Sequence, residues 1–377
     1  MGSSIKFIDS ANSLFFATVK KRIEGYFKRN NISKRANQEM VVKTMVYLFL
    51  FIGFYAVILL NVLPLYLTLL MAIGLGIIMA LIGFNICHDA LHGSYSNKKW
   101  VNSSLGFIFN LIGANVYIWK ISHNKVHHTY TNIVGHDGDL EVAPGLIRIS
   151  PVEKKKAIHR YQHLYAFPLY SLAAVSWFFR KDYVKFFQKN IGAHVNKHPK
   201  IEYFNLFFYK MVYYALFIII PFMIMDITWW QFLIGFLAMN FAEGLVMALV
   251  FQLAHLVEET DMPHLQGNEN VEEAWAEHQM RTTANFSRNS KTAVFLFGGL
   301  NYQIEHHLFP KICHIHYPAI SEIIKQTAHE FNLPYHENRS FYSALKSHYL
   351  FLKKLGRQPE VYPPLSAKPD YSNQIKL

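Results

Sequence analysis

Four short stretches gather histidine: HDALH at residues 88–92, HNKVHH at 123–128, LAHL at 253–256, and QIEHH at 303–307. His88 and His92 are four residues apart, as are His123 and His127, so each pair shares one face of a helix. Gln303 precedes His307 by the same interval. His306 and His307 are adjacent, and adjacent helical residues point about 100° apart. They cannot readily grip one ion, but each can serve a different one. With His128 and His255 the set comes to His88, His92, His123, His127, His128, His255, His306 and His307. That exceeds the four ligands a zinc site takes; two ions with four or five ligands each would use them all, and imidazole suits iron.

Simpler metal sites are excluded. The soluble di-iron bundles use paired Glu-x-x-His motifs, and no such motif occurs here. His-Glu-x-x-His, the mark of zinc proteases, is also absent. A doublet alone is weak evidence, because 20 histidines in 377 residues give about one adjacent pair by chance. Two doublets, each led by His or Gln at three or four residues, carry more weight if the fold brings them together.

The elements that must do so are membrane helices. Hydrophobic residues make up 52% of the chain and charged ones only 16%, against about 25% charged in soluble domains. Residues 44–87 contain no charged residue and are too long for one span, which takes about 20 residues. The break at Asn61–Pro64 divides them into spans at 43–61 and 65–86, and a second pair is expected at 205–225 and 228–252. Residues 100–119, interrupted by Gly106, Gly113 and several Asn, read as an interfacial or re-entrant segment. The turns at 61–64 and 226–228 carry no Lys or Arg, whereas the N-terminus and the 120–200 region carry many. Both termini and all eight histidines are therefore expected on the cytoplasmic side. The fold class is all-α, with four transmembrane helices in two hairpins.

Residues 1–43 read as a cytosolic or interfacial region with a basic amphipathic helix on the membrane surface, 44–355 as the catalytic domain, and 356–377 as a disordered tail. The N-terminus lacks the order of a signal peptide and the Ser or Thr of a myristoylation site. Cys87 and Cys313 are too few for a disulfide framework and read as small buried hydrophobes. The net charge of +12 comes with no nucleic-acid-binding signature, so nucleic acid is not a partner. A histidine-rich two-iron site beside a bilayer points to oxygen activation, with O₂ as co-substrate and a hydrocarbon chain as target.

The ordered boxes HDALH, HNKVHH and QIEHHLFP resemble those of the membrane fatty acid desaturases over roughly residues 44–330. The Gln-led third box is similar to the branch with front-end and bacterial acyl-CoA desaturases. The resemblance implies a four-span bundle with a cytosolic helical cap that holds two irons, and O₂-dependent insertion of a double bond into an acyl-CoA or a membrane acyl lipid, with water as the oxygen product. Carried over by position, it implies His88, His255 and His307 on one iron and His92, His123, His127, His128 and His306 on the other. Gln303 takes a place that is histidine in other relatives. Phe251, beside Gln252, stands where some relatives have Asn, which makes the first iron the less certain one.

Metal-bound imidazoles usually donate their second N–H to a carboxylate or carbonyl, and Asp89, Asp137, Asp139 and Glu305 are candidates for that role. No segment resembles a fused cytochrome b5 domain, so a separate electron donor of ferredoxin, cytochrome b5 or flavin reductase type is expected. Basic residues in 120–200 and near Arg281 and Arg288 are candidate docking points. His159, His163, His194 and His198 read as surface helix histidines, and His314 and His316 as structural. A hydroxylase on the same iron chemistry is the nearest rival. A haem-b carrier or metal transporter is a further alternative, which would want its ligands inside the spans rather than at their ends.

Overall fold

The computed structural model describes residues 5–140, 142–265 and 270–361. A basic helix α1 (Phe15–Arg29) precedes a hairpin of α2 (Gln38–Leu60) and α3 (Leu65–Leu91). Two shorter helices follow, α4 (Lys99–Leu111) and α5 (Val116–His127), bent 112° to each other. Helix α6 (Gln162–Ser171) and the broken helix α7 (173–187) lead to the second hairpin, α8 (Lys200–Ile224) and α9 (Trp229–His255). Later helices are α10 (Trp275–Thr282), α11 (Gln303–Leu308), α12 (Tyr317–Glu330) and α13 (Phe341–Arg357), with a further short helix at Lys291–Phe297. The described strands are two-residue pairs.

Helices α2, α3, α8 and α9 are each long and apolar enough to cross a membrane. Local signals set their ends. The Asn37 side chain caps α2 by accepting from the Met40 amide at 3.0 Å, and Asn61 ends it in the left-handed region at φ 52°. Thr228 and Gln231 form a capping box at the start of α9. The four expected spans lie within these helices or overrun them by a residue at the turn. The observed helices extend beyond the apolar runs, because α3 continues through a π-helical turn, Gly83–Cys87, and α8 begins at Lys200.

Helices α3 and α9 pack closely at Gly76, where a Cβ would sit 2.0 Å from the Met239 carbonyl oxygen. Small residues permit such approach where lipid supplies no hydrophobic drive. Lys210, an ionisable residue inside α8, is buried in an ion pair with Asp182 at 2.7 Å. Asp182 also accepts from the Asn115 amide and the Trp177 indole, each at 2.8 Å, so one carboxylate ties α8, α7 and the start of α5 together. The two arms over residues 99–127 bend by 112°, and neither alone reaches spanning length.

The apolar face of α1 (Phe15, Val19, Ile23 and Phe27) packs with Ile320, Ile324 and Ala328 of α12. Helix α13 runs to Arg357, and the buried Arg148 guanidinium donates to the carbonyls of Leu355, Gln358 and Pro359. From residue 362 onward the expected tail lies outside the described residues.

Candidate metal centre

The histidines meet at one end of the four-helix bundle, opposite the two hairpin turns. His88 and His255 stand at the same end of α3 and α9. Box geometry depends on π-helical turns. The His88 amide bonds to the Gly83 carbonyl, and the His128 amide to the His123 carbonyl at 3.1 Å, both five-residue closures. In an α-helix His128 would turn about 100° away from His127. Closure over five residues brings His123, His127 and His128 toward one face, and π turns recur at functional sites. Box three is the six-residue helix α11. Its Ile304 amide is held by Asn285 Oδ1 at 3.1 Å, and it sends its adjacent imidazoles in different directions.

The result is two groups that share an edge. Ring nitrogens of His88, His92, His123 and His306 lie within 4.8 Å of one another, as do those of His127, His255 and His307. His128 bridges them, within the same distance of both His306 and His307. The Nε2 atoms of all eight histidines are buried and have no hydrogen-bond partner. Gln303 is buried too, with an unpartnered Oε1, and lines the cavity that reaches His88 and His123. Unpaired buried polar atoms are costly, so such a collection wants cations. Burial and then the neighbouring rings hold His92, His128, His306 and His307 well below the usual histidine range, leaving them neutral with a lone pair to offer. The donor set fits two imidazole-bound ions.

By proximity the rings group differently from the division that the resemblance implies: His88 lies with His92, His123 and His306, and His127 lies with His255 and His307. Four outer contacts leave Nε2 facing inward. His127 Nδ1 donates to Asp137 Oδ2 at 2.8 Å, and His123 Nδ1 lies 3.5 Å from Asp139 Oδ2. His307 Nδ1 donates to Gln279 Oε1 at 2.8 Å, and His306 Nδ1 lies 3.4 Å from the Tyr317 hydroxyl.

Asp137 and Asp139 thus face histidines of the second box, whereas Asp89 and Glu305 have partners elsewhere. Asp89 accepts from His314 Nδ1 at 2.9 Å and from the Cys313 thiol at 3.0 Å, while Lys43 Nζ lies 3.2 Å from the other nitrogen of His314. Glu305 accepts from Tyr335 at 2.7 Å and Asn285 at 2.8 Å, and burial pushes its carboxyl up to about 7. Both brace the boxes through the backbone. Cys313 thus has a polar partner beyond its bulk.

Other expectations also shift. His159 and His163 are buried rather than on the surface, and His159 accepts the Lys156 amide at 3.1 Å. His198 is half-buried, stacked on Phe186 with its Nε2 2.8 Å from the Phe186 carbonyl. Gln252 donates to the Leu140 carbonyl at 3.1 Å, and Phe251 packs against His123, His127 and His255.

Sequence reasoning missed α10. Its Trp275 donates to the His128 carbonyl at 3.0 Å, His278 Nε2 lies 2.8 Å from the Thr131 carbonyl, and Gln279 holds His307. The i, i+3 and i+4 spacing of those three residues was the available signal. Asn132, at φ 58°, donates to the His255 carbonyl at 2.9 Å and so joins the loop after box two to the end of α9.

Beside the first group opens an apolar cavity lined by Gly83, Phe84, Phe109, Trp177, Met247 and Phe251. Lys181, Lys185, Asp139 and Asp182 supply its polar part. Lys185 is paired with Asp139, the carboxylate next to His123.

The family model for fatty acid desaturases matches residues 63–339, which include all four histidine stretches. The chain belongs to the fatty acid desaturase family. This desaturase is 35% identical to the sn-1 linoleoyl-lipid 6-desaturase of Arthrospira platensis, over 92% of this chain and 94% of that protein. It is 34% identical to the acyl-lipid (8-3)-desaturase of Physcomitrium patens, over 94% of this chain and 74% of the relative. A probable Delta(5) fatty acid desaturase of Dictyostelium discoideum is 32% identical over 91% of this chain and 76% of its own length. The enzyme is accordingly an oxidoreductase acting on fatty acyl chains, and its four apolar helices fit an integral membrane protein.

Proposed function

We propose that this desaturase inserts a double bond into an acyl chain carried by a membrane lipid, using O₂ and two irons held by the eight box histidines. The carrying observation is the pair of histidine groups with inward, unpartnered nitrogens at the wall of an apolar cavity. Two irons, when bound, supply the reductive activation of O₂ needed to attack an unactivated C–H bond. His88, His92, His123 and His306 would hold one, and His127, His255 and His307 the other, with His128 between them. Gln303 stands at the cavity wall as a neutral oxygen donor.

The protein's own residues position and shield. Asp137, Asp139, Gln279 and Tyr317 fix ring orientation, which tunes ligands as much as it holds them. Phe84, Phe109, Trp177 and Phe251 make the cavity a place for methylenes and exclude water from the reacting carbons. Lys181 and Lys185 lie at its polar part, where an ester or phosphate of the carrier would be recognised. Relatives named as acyl-lipid desaturases favour a lipid over a coenzyme A carrier. The Lys- and Arg-free hairpin turns support a cytoplasmic histidine end, where a separate carrier would deliver electrons.

Expression in a host with a defined fatty-acid profile tests the reading. Mass spectrometry of separated lipid classes should show an acyl chain lighter by two mass units, and purified protein should contain about two irons per chain. A gain of sixteen mass units would mean hydroxylation, and purified protein without iron would refute the metal assignment.

A further inference from the structure

Removing two hydrogens from a –CH₂–CH₂– unit while reducing O₂ to two waters requires two more electrons and two protons per turnover. If the reaction is the one proposed above, those electrons must cross from a water-soluble carrier to buried imidazoles. The described side chains that hydrogen-bond to the eight histidines are nearly all buried. Asp139 and Trp275 are the exceptions, and Asp139 faces the substrate cavity.

Trp275 is different in kind. Its indole N–H donates to the carbonyl of His128 at 3.0 Å, and His128 bridges the two histidine groups. The ring is half-buried. It meets Phe16 edge-on, at 5.6 Å between centroids, and Phe16 stacks on Phe309 at 5.6 Å. These three rings come from α10, α1 and the residue after box three, and all are partly exposed. Lys20, one turn beyond Phe16 on α1, is exposed beside Lys21, and Lys311 is exposed two residues after Phe309. Glu272 and Glu277 lie on the α10 side, so the positive charge is concentrated on the α1 side. The basic residues favoured by sequence are less suited: Arg288 pairs with Glu322 and Glu337, and Arg281 with Glu273.

We infer that the Phe16–Trp275–Phe309 patch, with Lys20 and Lys311 at its rim, docks an acidic one-electron carrier protein. Trp275 passes electrons into the centre through its hydrogen bond to the backbone of His128. Partial exposure admits the carrier's cofactor edge, apolar rings exclude water at the contact, and lysines orient an acidic face, as charged rims do for transient partners. Electron transfer falls off more slowly through bonds and hydrogen bonds than through space, and here one hydrogen bond joins the patch to a ligand.

The test uses full-length, iron-loaded protein in detergent with two carriers in parallel, a soluble cytochrome b5 haem domain and a plant-type [2Fe–2S] ferredoxin. At least one should bind with a Kd that rises with salt. Lys20→Glu with Lys311→Glu should weaken that Kd at least tenfold, while Lys154→Glu with Lys156→Glu should not. Trp275→Phe should keep both Kd and iron content but slow oxidation of the reduced carrier at least tenfold. The inference is overturned if neither carrier binds, if the Lys20 and Lys311 reversals leave Kd unchanged, or if Trp275→Phe transfers electrons at the wild-type rate. Loss of iron in Trp275→Phe would also overturn it, by reducing Trp275 to a support for His128. Lipid analysis of cells carrying the wild type separates the two readings: if new unsaturated chains appear and the docking variants behave as wild type, only the docking surface fails.

Discussion

Gln279 accepts the Nδ1–H of His307 at 2.8 Å, and the Thr131 hydroxyl approaches the same oxygen to 2.8 Å. This contact decides which nitrogen His307 presents to the centre, because an imidazole that donates from Nδ1 keeps its lone pair on Nε2. Outer partners of this kind are typically worth about 10–100-fold in metal affinity or activity. Gln279→Leu keeps the approximate shape and removes the acceptor, so iron retained after dialysis against a chelator should fall by that order. Retention equal to wild type would show that His307 needs no orienting partner.

Asp137 performs the same task for His127 and also accepts the amides of Asn132 and Asp139, each at 3.1 Å. An Asn at this position offers only one oxygen where a carboxylate offers two, and its NH₂ would face a donor. Asp137→Asn should therefore lower product formation at least tenfold with normal expression, and His127→Ala should abolish it. His329→Ala, on the exposed side of α12, should leave the lipid profile unchanged. Product from His127→Ala at the wild-type level would remove that residue from the centre.

The split between legible and illegible features is physical. Apolar runs and Lys-free turns mark α2, α3, α8 and α9, because span length and charge bias are one-dimensional properties. The boxes were visible because histidines at short, repeated spacing stand out by residue type alone. The grouping of their rings was not, since it rests on π-helical turns at Gly83–Cys87 and Lys120–His127 that shift side chains by a fraction of a turn. Asp89 looked like a partner for box one because it is next to His88, yet on the helix it points to His314, distant by 225 residues. Helix α10 went unseen because Gln279 and Trp275 act through one or two hydrogen bonds each, which leave no compositional mark.

His348 gives a pH dependence that can be separated from the metal ligands. Its Nδ1 donates to the Leu256 carbonyl at 2.7 Å, and its Nε2 accepts the Tyr170 hydroxyl at 2.8 Å, which is a neutral imidazole with both positions used. Burial lowers its pKa from 6.5 to about 4. Protonation would put a charge into the junction behind His255 and replace an acceptor with a donor. A depressed pKa means the stabilisation is complete above pH 6.5 and is lost as pH falls from 6.5 toward 4. The loss amounts to roughly 3 kcal/mol at about 1.4 kcal/mol per unit. Melting of detergent-solubilised protein should drop across that window. His348→Leu should be less stable at pH 7.5 but show a shallower drop, and parallel profiles would rule His348 out as the titrating group.

Gly83 offers a direct handle on the acyl cavity. It lines the cavity one turn before His88, and a Cβ built there meets only Phe109 Cε2, at 3.5 Å, an ordinary contact. Gly83→Ala should therefore fold normally and change the products little. Gly83→Leu adds a branched side chain that must project past Phe109 into the space assigned to substrate methylenes. One methylene too many in an apolar pocket costs about 1–3 kcal/mol, or 10–200-fold in discrimination. The longest chains accepted by the wild type should accordingly lose at least tenfold in conversion, while shorter chains are still converted or receive the double bond at a displaced position. Gas chromatography of derivatised fatty acids reads both quantities together. An unchanged chain-length profile and bond position in a folded, iron-containing Gly83→Leu protein would mean that the acyl chain lies elsewhere.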